Sequence, residues 1–442
     1  MNKNMKNLKT LCAVALLAAI TATSCKKDGD NSANFANRST AAADYAASTL
    51  PVTTVSSDIT TNTTWDAGHV WEISGIVTVS NGATLTIAPG TFIKASVNTS
   101  AANGVLVIGK DGFINAIGTA ASPIVFTSRN LLDNNAATVG KPGDFGGVII
   151  LGNDTVNTVS GSKLIEGLPN EPKFTYGGKS VTDNRGTFQY VRIEYAGYIL
   201  AENIEVNGLT LGGVGKETIV DHVQVSYGLD DGFEFFGGSV SPSYLIALGN
   251  DDDQFDFDNG YNGTISFAIA LADGNSTHSV SGGASDSNGI ESDNNAPAED
   301  PAFALTPKTH PILNNFSVIG TQTASVATGL GYKFGYRNRR GAEVTLNNSI
   351  ITGFTTAFNF DGTTPSLSSF TNTAVNSFVS PAVLPAGTYA GIAQTSSATA
   401  STLTITQPWF NSANLNLAAT SNRGARPTGS ANWTATWSKF VY

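Results

Sequence analysis

The sequence is poor in cysteine, in charged residues and in long apolar runs. Only two cysteines, Cys12 and Cys25, occur in 442 residues, so a framework of several internal disulfides is excluded. Charged residues make up 13% of the chain, and the Leu, Glu and Lys patterns of long amphipathic helices are absent. Thr, Ser, Asn, Gly and Val recur instead, which favours an all-β chain.

The net charge bears on the partners of the protein. The formal charge is −10 at pH 7, and an acidic surface repels the phosphate backbone. The sequence therefore predicts no nucleic-acid partner. Solubility is the simpler explanation of this charge.

The N-terminus has the organisation of a targeting segment. Lys3, Lys6 and Lys9 form a basic region, and residues 11–20 form an apolar one. Ten apolar residues are too few to span a bilayer, so we predict a signal peptide over residues 1–24. The position of Cys25 resembles that of the cysteine in a bacterial lipobox. The resemblance implies acylation of Cys25, with palmitate-type chains that anchor the protein to a membrane; secretion with a free cysteine is the alternative.

The segment after Cys25 predicts an exposed tether. Residues 26–30 read Lys-Lys-Asp-Gly-Asp and resemble the charged export signals of surface lipoproteins from Bacteroidota-type bacteria. This resemblance implies a lipid-anchored, surface-exposed position on the outer membrane. Residues 25–57 are rich in Asn, Ala, Ser and Thr and predict a flexible tether. We expect the folded domain to occupy residues 58–442.

Short strands and a repeat predict the fold. Strands of a few residues alternate apolar and polar side chains and are broken by Gly, Asn and Pro. The segments that begin at Asp231 (Asp-Gly-Phe-Glu-Phe-Phe-Gly-Gly) and at Asp253 (Asp-Gln-Phe-Asp-Phe-Asp-Asn-Gly) nearly repeat after 22 positions. Self-similarity at this period predicts a right-handed parallel β-helix rather than a sandwich. We expect polar loop insertions at residues 273–286 and 294–308, and a C-terminal cap from about residue 364 that contains Trp433 and Trp437.

The stacked repeats predict a column of carboxylates. Phe233 and Phe255 are expected inside the coil, with Glu234, Asp256 and Glu291 on its outer side, about 4.8 Å apart from rung to rung. Carboxylates this close raise one another's pKa, and a bound divalent cation would remove the repulsion. Because calcium prefers oxygen ligands, we predict a calcium site, whose candidate ligands are Asp230, Asp231, Glu234, Asp253, Asp256, Asp258, Glu291 and Asp293. A solvated acidic face with turn-capping Asp and Asn, or a catalytic carboxylate pair, are the alternatives.

Three motifs resemble those of pectate lyases of the β-helix type. They are Val220-Asp-His222, Asp231-Gly232, and the Arg-rich segment at residues 337–348 that ends in Asn-Asn. The resemblance implies a polysaccharide lyase or hydrolase acting on acidic glycans, with a base near the sugar proton and a cation on the uronate carboxylate. Its candidate catalytic residues are His222, Arg337, Arg339 and Arg340. The residues alone favour a hydrogen-bonded structural role for His222.

A closer resemblance covers residues 65–442. The motifs at residues 208–215, 230–238, 289–293 and 339–341, together with the tail that holds Trp433 and Trp437, are similar to those of a widespread group of bacterial surface lipoproteins with this β-helix. The resemblance implies a fold and a location but no activity.

From the sequence, we expect a binding or adhesion module that engages a glycan or another surface protein and is stabilised by calcium. A polysaccharide lyase or hydrolase, and an accessory subunit of an outer-membrane complex, are the other two hypotheses.

Overall fold

The computed structural model describes residues 47–97, 103–201, 204–273, 280–281, 284–285, 287–321, 333–361, 368–383, 391–396, 422–427 and 429–440. The predicted signal peptide, Cys25 and most of the predicted tether lie outside the described residues. Within these ranges, no helix has the length and apolar character needed to cross a bilayer.

Short strands and one 3-10 turn make up the regular structure of the described residues. The first part contains β1 Val52–Val55, β2 Thr63–Trp65, β3 Val70–Ile73, β4 Ile76–Val79, β5 Thr84–Ile87, β6 Phe92–Ala95, β7 Val105–Ile108, β8 Phe113–Ile117, β9 Ile124–Thr127 and β10 Gly147–Leu151. The middle contains β11 Lys163–Leu164, a 3-10 turn at Pro172–Phe174, β12 Thr175–Tyr176, β13 Gly186–Glu194, β14 Ile199–Ala201, β15 Ile204–Glu205, β16 Leu209–Val214, β17 Ile219–Ser226, β18 Phe233–Gly238, β19 Ser243–Leu248 and β20 Phe255–Asp258. The last part contains β21 Thr264–Leu271, β22 Val280–Ser281, β23 Ala284–Ser285, β24 Ile290–Ser292, β25 Ile312–Ile319, β26 Phe334–Arg339, β27 Thr345–Asn347, β28 Ile350–Asp361, β29 Ser369–Thr371, β30 Thr373–Val383 and β31 Ile392–Ser396.

The strands wind into a right-handed parallel β-helix with three faces, which confirms the predicted fold class. Face 1 stacks β4, β7, β10, β16, β18, β20, β24, β26 and the second half of β28. Face 2 stacks β2, β5, β8, the first halves of β13, β17, β21 and β25, then β27 and β29. Face 3 contains β1, β3, β6, β9, the second halves of β13, β17, β19, β21 and β25, and the first halves of β28 and β30, followed by β31.

A continuous apolar core runs along the axis inside the coil. The rings of Phe233 and Phe255 stack at 5.0 Å, and those of Phe235 and Phe257 lie 5.1 Å apart. All four side chains are fully buried. Burial of each phenylalanine contributes about 2 kcal/mol, so slipping the register by one residue would expose this column to water.

From β13 onwards, the corner between faces 2 and 3 is turned by a single left-handed residue in each coil. These residues are Tyr190, His222, Tyr244, Phe267, Asn315, Asn348 and Asn372, with φ between 46° and 62°. Asparagine tolerates this backbone region better than most residues do. At the aromatic positions the rings stack: His222 lies 4.4 Å from both Tyr190 and Tyr244. Stacking therefore offsets a backbone conformation that aromatic residues rarely adopt.

Part of face 1 is covered from outside by the insertion at residues 152–185. Its β11–β12 hairpin places Ile165, Phe174 and Tyr176 in a second apolar cluster with the outward side chains Ile149 and Leu151. This insertion contacts the polar loop at residues 294–308 that the sequence predicts. The two are joined where Asn157 Nδ2 donates to Asn294 Oδ1 over 2.9 Å.

The C-terminal residues 422–427 and 429–440, called the C-terminal strap, lie along the side of the coil. Gly424 N donates to the carbonyl of Asn348 over 2.7 Å, and the ring of Trp437 lies 5.5 Å from that of His222. The strap therefore runs back along the stacked corner towards the earlier coils. This differs from the end cap that we expected, because the tail aromatic rings pack on the exposed corner stack rather than on the last coil.

Both ends of the coil extend further than the sequence suggested. β1 lies inside the predicted tether and pairs with β3, with Val52 opposite Val70. β29, β30 and β31 follow the predicted start of the cap at about residue 364 and continue the parallel stack. These strands are rich in Thr and Ser, so their alternation is weak in the sequence.

Candidate functional site

The predicted carboxylates lie together on the outer side of face 1. Glu234 pairs in register with Asp256, and Asp256 with Glu291, on β18, β20 and β24. Asp258 ends β20, and Asp293 follows β24 directly. The structure therefore brings together the column that the repeat predicted.

The aspartates that precede these strands connect the turns of successive coils through hydrogen bonds. Asp231 Oδ1 accepts a hydrogen bond from the N–H of Asp253 over 2.8 Å. Asp253 Oδ1 in turn accepts from the N–H of Asn288 over 2.6 Å, and the Oδ1 of Asn207 accepts from Asp231 N–H over 3.1 Å. Each aspartate therefore uses one oxygen to hold the next coil, as turn-capping residues do, and keeps a second oxygen for another contact.

Three groups of carboxylates have oxygens close enough to share a cation. In each group, one oxygen per residue lies within 4.8 Å of the others. The groups are Asp230 with Asp231 and Asp252; Asp231 with Glu234 and Asp256; and Asp253 with Asp256 and Glu291. We call these seven residues the face 1 cluster. It contains only oxygen donors, the set that suits calcium or magnesium rather than zinc or copper.

The cluster is not the solvated acidic surface that we considered as an alternative. Asp231, Glu234, Asp253 and Glu291 are all less than 8% exposed. Burial first, and then neighbouring carboxylates, raise the pKa of Asp231 and of Glu234 well above the usual values. Oδ1 of Asp256 is buried and has no hydrogen-bond partner among the described residues. A buried carboxylate oxygen without a partner carries a substantial desolvation penalty.

Part of the site remains open to water. Asp256 and Asp258 are half-buried, and Glu166 is exposed. The surrounding protein still desolvates these groups and, together with neighbouring carboxylates, raises the pKa of each to about 7. The acidic column therefore has a solvent-accessible side at these three residues.

Arginines neutralise one end of the acidic column. Arg339 makes a bidentate contact with Asp293, at 2.8 Å and 2.7 Å, and also pairs with Glu291. Arg337 Nε lies 2.8 Å from Asp361, and Arg340 Nη1 contacts Asp293. The carboxylates raise the pKa of Arg339 despite its burial. Arg339 therefore stays protonated, which opposes its use as a base.

The insertion contributes a carboxylate that the sequence did not reveal. Glu166 lies in the β11–β12 hairpin close to Glu234, and burial together with the charges of Asp258 and Glu205 raises its pKa. Asn207 Nδ2 donates to Glu234. No repeat or spacing connects Glu166 with the coil, so only tertiary packing could reveal its position.

His222 is separated from the carboxylates of face 1. It lies on the corner between faces 2 and 3, stacked between two tyrosines, with Nδ1 against Oδ1 of the adjacent Asp221. Asp231, by contrast, precedes a face 1 strand. The structure therefore does not bring His222 together with the other residues of the lyase resemblance.

The fold and the site together define a parallel β-helix with a largely buried carboxylate cluster on one outer face. The chain belongs to the family described as Pectate-lyase like beta helix domain, whose family model matches residues 57–438. No curated protein and no solved structure matches the chain significantly. A pectate-lyase-like β-helix fits a glycan-related function at a surface.

Proposed function

We propose that this protein is a calcium-dependent glycan-binding module of the bacterial surface, held to the outer membrane by acylated Cys25. The face 1 cluster holds the cation, and the cation presents a binding position to a carboxylate of an acidic glycan. The single observation that carries the proposal is the set of three oxygen groups around Asp256, whose buried Oδ1 lacks a partner among the described residues.

Electrostatics favours a cation at this position. Several carboxylates share a volume from which most water is excluded, and the arginines pair with Glu291 and Asp293 at one end of the column. A divalent cation would compensate the repulsion among the other carboxylates and lower their pKa values. Calcium accepts the irregular, carboxylate-rich geometry better than magnesium, which requires near-octahedral coordination.

A titration of the metal tests the cation site. Calcium should raise the melting temperature of the chelator-treated protein, and at a hundred times its Kd it should add about 2.7 kcal/mol to the free energy of unfolding. The double substitution Glu234→Gln with Asp256→Asn should abolish both this stabilisation and the heat of binding in calorimetry. Glu217→Gln, at an exposed position, is the matched control. No binding heat and no thermal shift in the wild-type protein would reject the site.

A glycan array with calcium and with chelator tests the ligand. Acidic glycans should bind only with calcium, and neutral ones should not show this dependence. Binding to another surface protein, or membership of an outer-membrane complex, predicts capture of a partner from native membranes without a calcium-dependent glycan signal.

Polysaccharide cleavage is the second candidate, and one observation favours it. Glu166, Asp256 and Asp258 have a pKa of about 7 and lie on the solvent-accessible side of the acidic column, in the range suited to general acid–base catalysis near neutral pH. Release of unsaturated or reducing ends from acidic glycans, lost in Asp256→Asn, would support an enzyme. The position of His222 and the protonated state of Arg339 favour the binding module.

A further inference from the structure

A groove with a volume of about 670 Å³ lies at the start of face 1, away from the face 1 cluster. It is formed by residues at the ends of β4 and β7 and by the insertion segment at residues 172–175. Its lining residues are Thr78, Ser80, Gly109, Lys110, Asp111, Asn153, Pro172, Lys173 and Thr175, and none of them belongs to the face 1 cluster. Its volume is within the range of small-ligand sites in proteins.

The groove presents hydrogen-bonding groups beside apolar surface. Hydroxyls of Thr78, Ser80 and Thr175 line it. Thr78 is 1% exposed, and its Oγ1 is buried without a hydrogen-bond partner among the described residues. Because Val77 and Val79 point into the core, Thr78 faces outward, towards the groove. A ligand with hydroxyl groups could satisfy this oxygen.

The two lysines of the groove differ in their partners. Nζ of Lys173 lies 3.1 Å from Asp58 and 3.7 Å from Glu171. Nζ of Lys110 donates to the carbonyl of Gly177 over 2.7 Å, and no carboxylate in the described parts of the chain pairs with it. Burial lowers the pKa of Lys110, while the nearby charge of Asp183 acts to raise it. A bound anion would oppose the effect of burial further, because an opposite charge favours the protonated amine.

We propose that this groove is a second, cation-independent binding site for the carboxylate-bearing terminal unit of an acidic saccharide. Lys110 binds the carboxylate, and the hydroxyls of Thr78, Ser80 and Thr175 bind the sugar hydroxyls. The inference rests on the ligand class of the proposed function, but it uses different residues and no metal.

Calorimetry with digalacturonate in excess chelator tests the groove, because the chelator removes the contribution of the face 1 cluster. The wild-type protein should bind, and Lys110→Met should weaken binding at least tenfold. Lys173→Met is the matched control from the same groove and should change the Kd less than threefold, since that lysine already has two carboxylate partners. The uncharged methyl ester of the dimer should bind at least tenfold more weakly than the acid.

Thr78→Val separates ligand binding from folding. The substitution replaces the buried hydroxyl by a methyl group, so it should keep or raise the melting temperature and still weaken digalacturonate binding. Absence of digalacturonate binding in chelator, or equal binding by wild type, Lys110→Met and Thr78→Val, would overturn the proposal. A calcium-induced thermal shift without this binding rejects the groove alone, and chelator-resistant binding without a calcium shift rejects only the cation site.

Discussion

At Asp256, burial and charge conflict directly. It belongs to two of the three oxygen groups, and burial together with Asp293 raises its pKa to about 7. In the unfolded chain the same carboxyl would titrate near its ordinary value of 3.8. The folded protein therefore binds more protons than the unfolded chain between these two pH values, and linkage makes stability fall as pH rises through this interval.

We expect the free energy of unfolding of the metal-free protein to decrease between pH 5 and pH 8. A tenfold difference in proton affinity between the folded and unfolded states corresponds to about 1.4 kcal/mol, so the loss should amount to a few kcal/mol, shared among the interacting carboxylates. Saturating calcium should reduce this decrease, since it stabilises the ionised form. Denaturant unfolding at a series of pH values, with chelator and with calcium, measures both slopes. Equal stability at pH 5 and pH 8 without metal would contradict the expectation.

At the scale of single elements, the C-terminal strap is bound through both its backbone and its aromatic rings. Ala425 N donates to Ser317 Oγ over 2.9 Å, and Lys439 N donates to Gln224 Oε1 over 2.9 Å. Trp437 is completely buried and lies edge-on to His222. Each coil of a β-helix otherwise contacts mainly its neighbours, so the strap links coils that are distant along the axis.

We expect Trp437→Ala to destabilise the protein by about 3–5 kcal/mol, the usual cost of removing a large buried aromatic ring. Its control is Trp71→Ala, which removes a half-buried ring far from the strap and should cost less. Chemical denaturation measures both changes. Calcium binding should persist in the folded fraction, because Trp437 contacts the corner stack and not the face 1 cluster. A change below about 1 kcal/mol would show that the strap contributes little to stability.

On the scale of the whole molecule, the coils act as a one-dimensional stack. Interactions between neighbouring coils dominate its stability, and the face 1 cluster belongs to coils in the middle of the stack. The insertion that carries Glu166 packs over the same part of face 1. A ligand bound there should therefore stabilise the nearby coils more than the ends.

Hydrogen exchange with and without calcium should locate this effect. Amides of β18, β20 and β24 are expected to exchange at least tenfold more slowly with calcium, because opening these coils would release the cation. Amides of β2 to β6 should change little and provide the internal control. Uniform protection along the chain would indicate a single cooperative unit, and no protection at all would oppose the cation site.

Much of the candidate site could be predicted from the repeat alone. The spacing of Phe233 and Phe255 aligns the stacked coils, and this alignment brings Glu234 next to Asp256. The position of Glu166 could not be predicted, since the hairpin that carries it has no counterpart in the repeat. The ion-pair partners of Arg339 could not be predicted either. The sequence does not show how many residues of the loop between β24 and β25 lie outside the stack.

The sequence by itself determined the coil, its register and the acidic column, because side chains that recur from coil to coil must lie over one another in a parallel stack. Only the tertiary structure decided that this column is largely buried, that arginines neutralise one end of it, and that the tail lies along the corner. Those outcomes depend on where irregular insertions pack, and their contacts join residues that no local pattern connects.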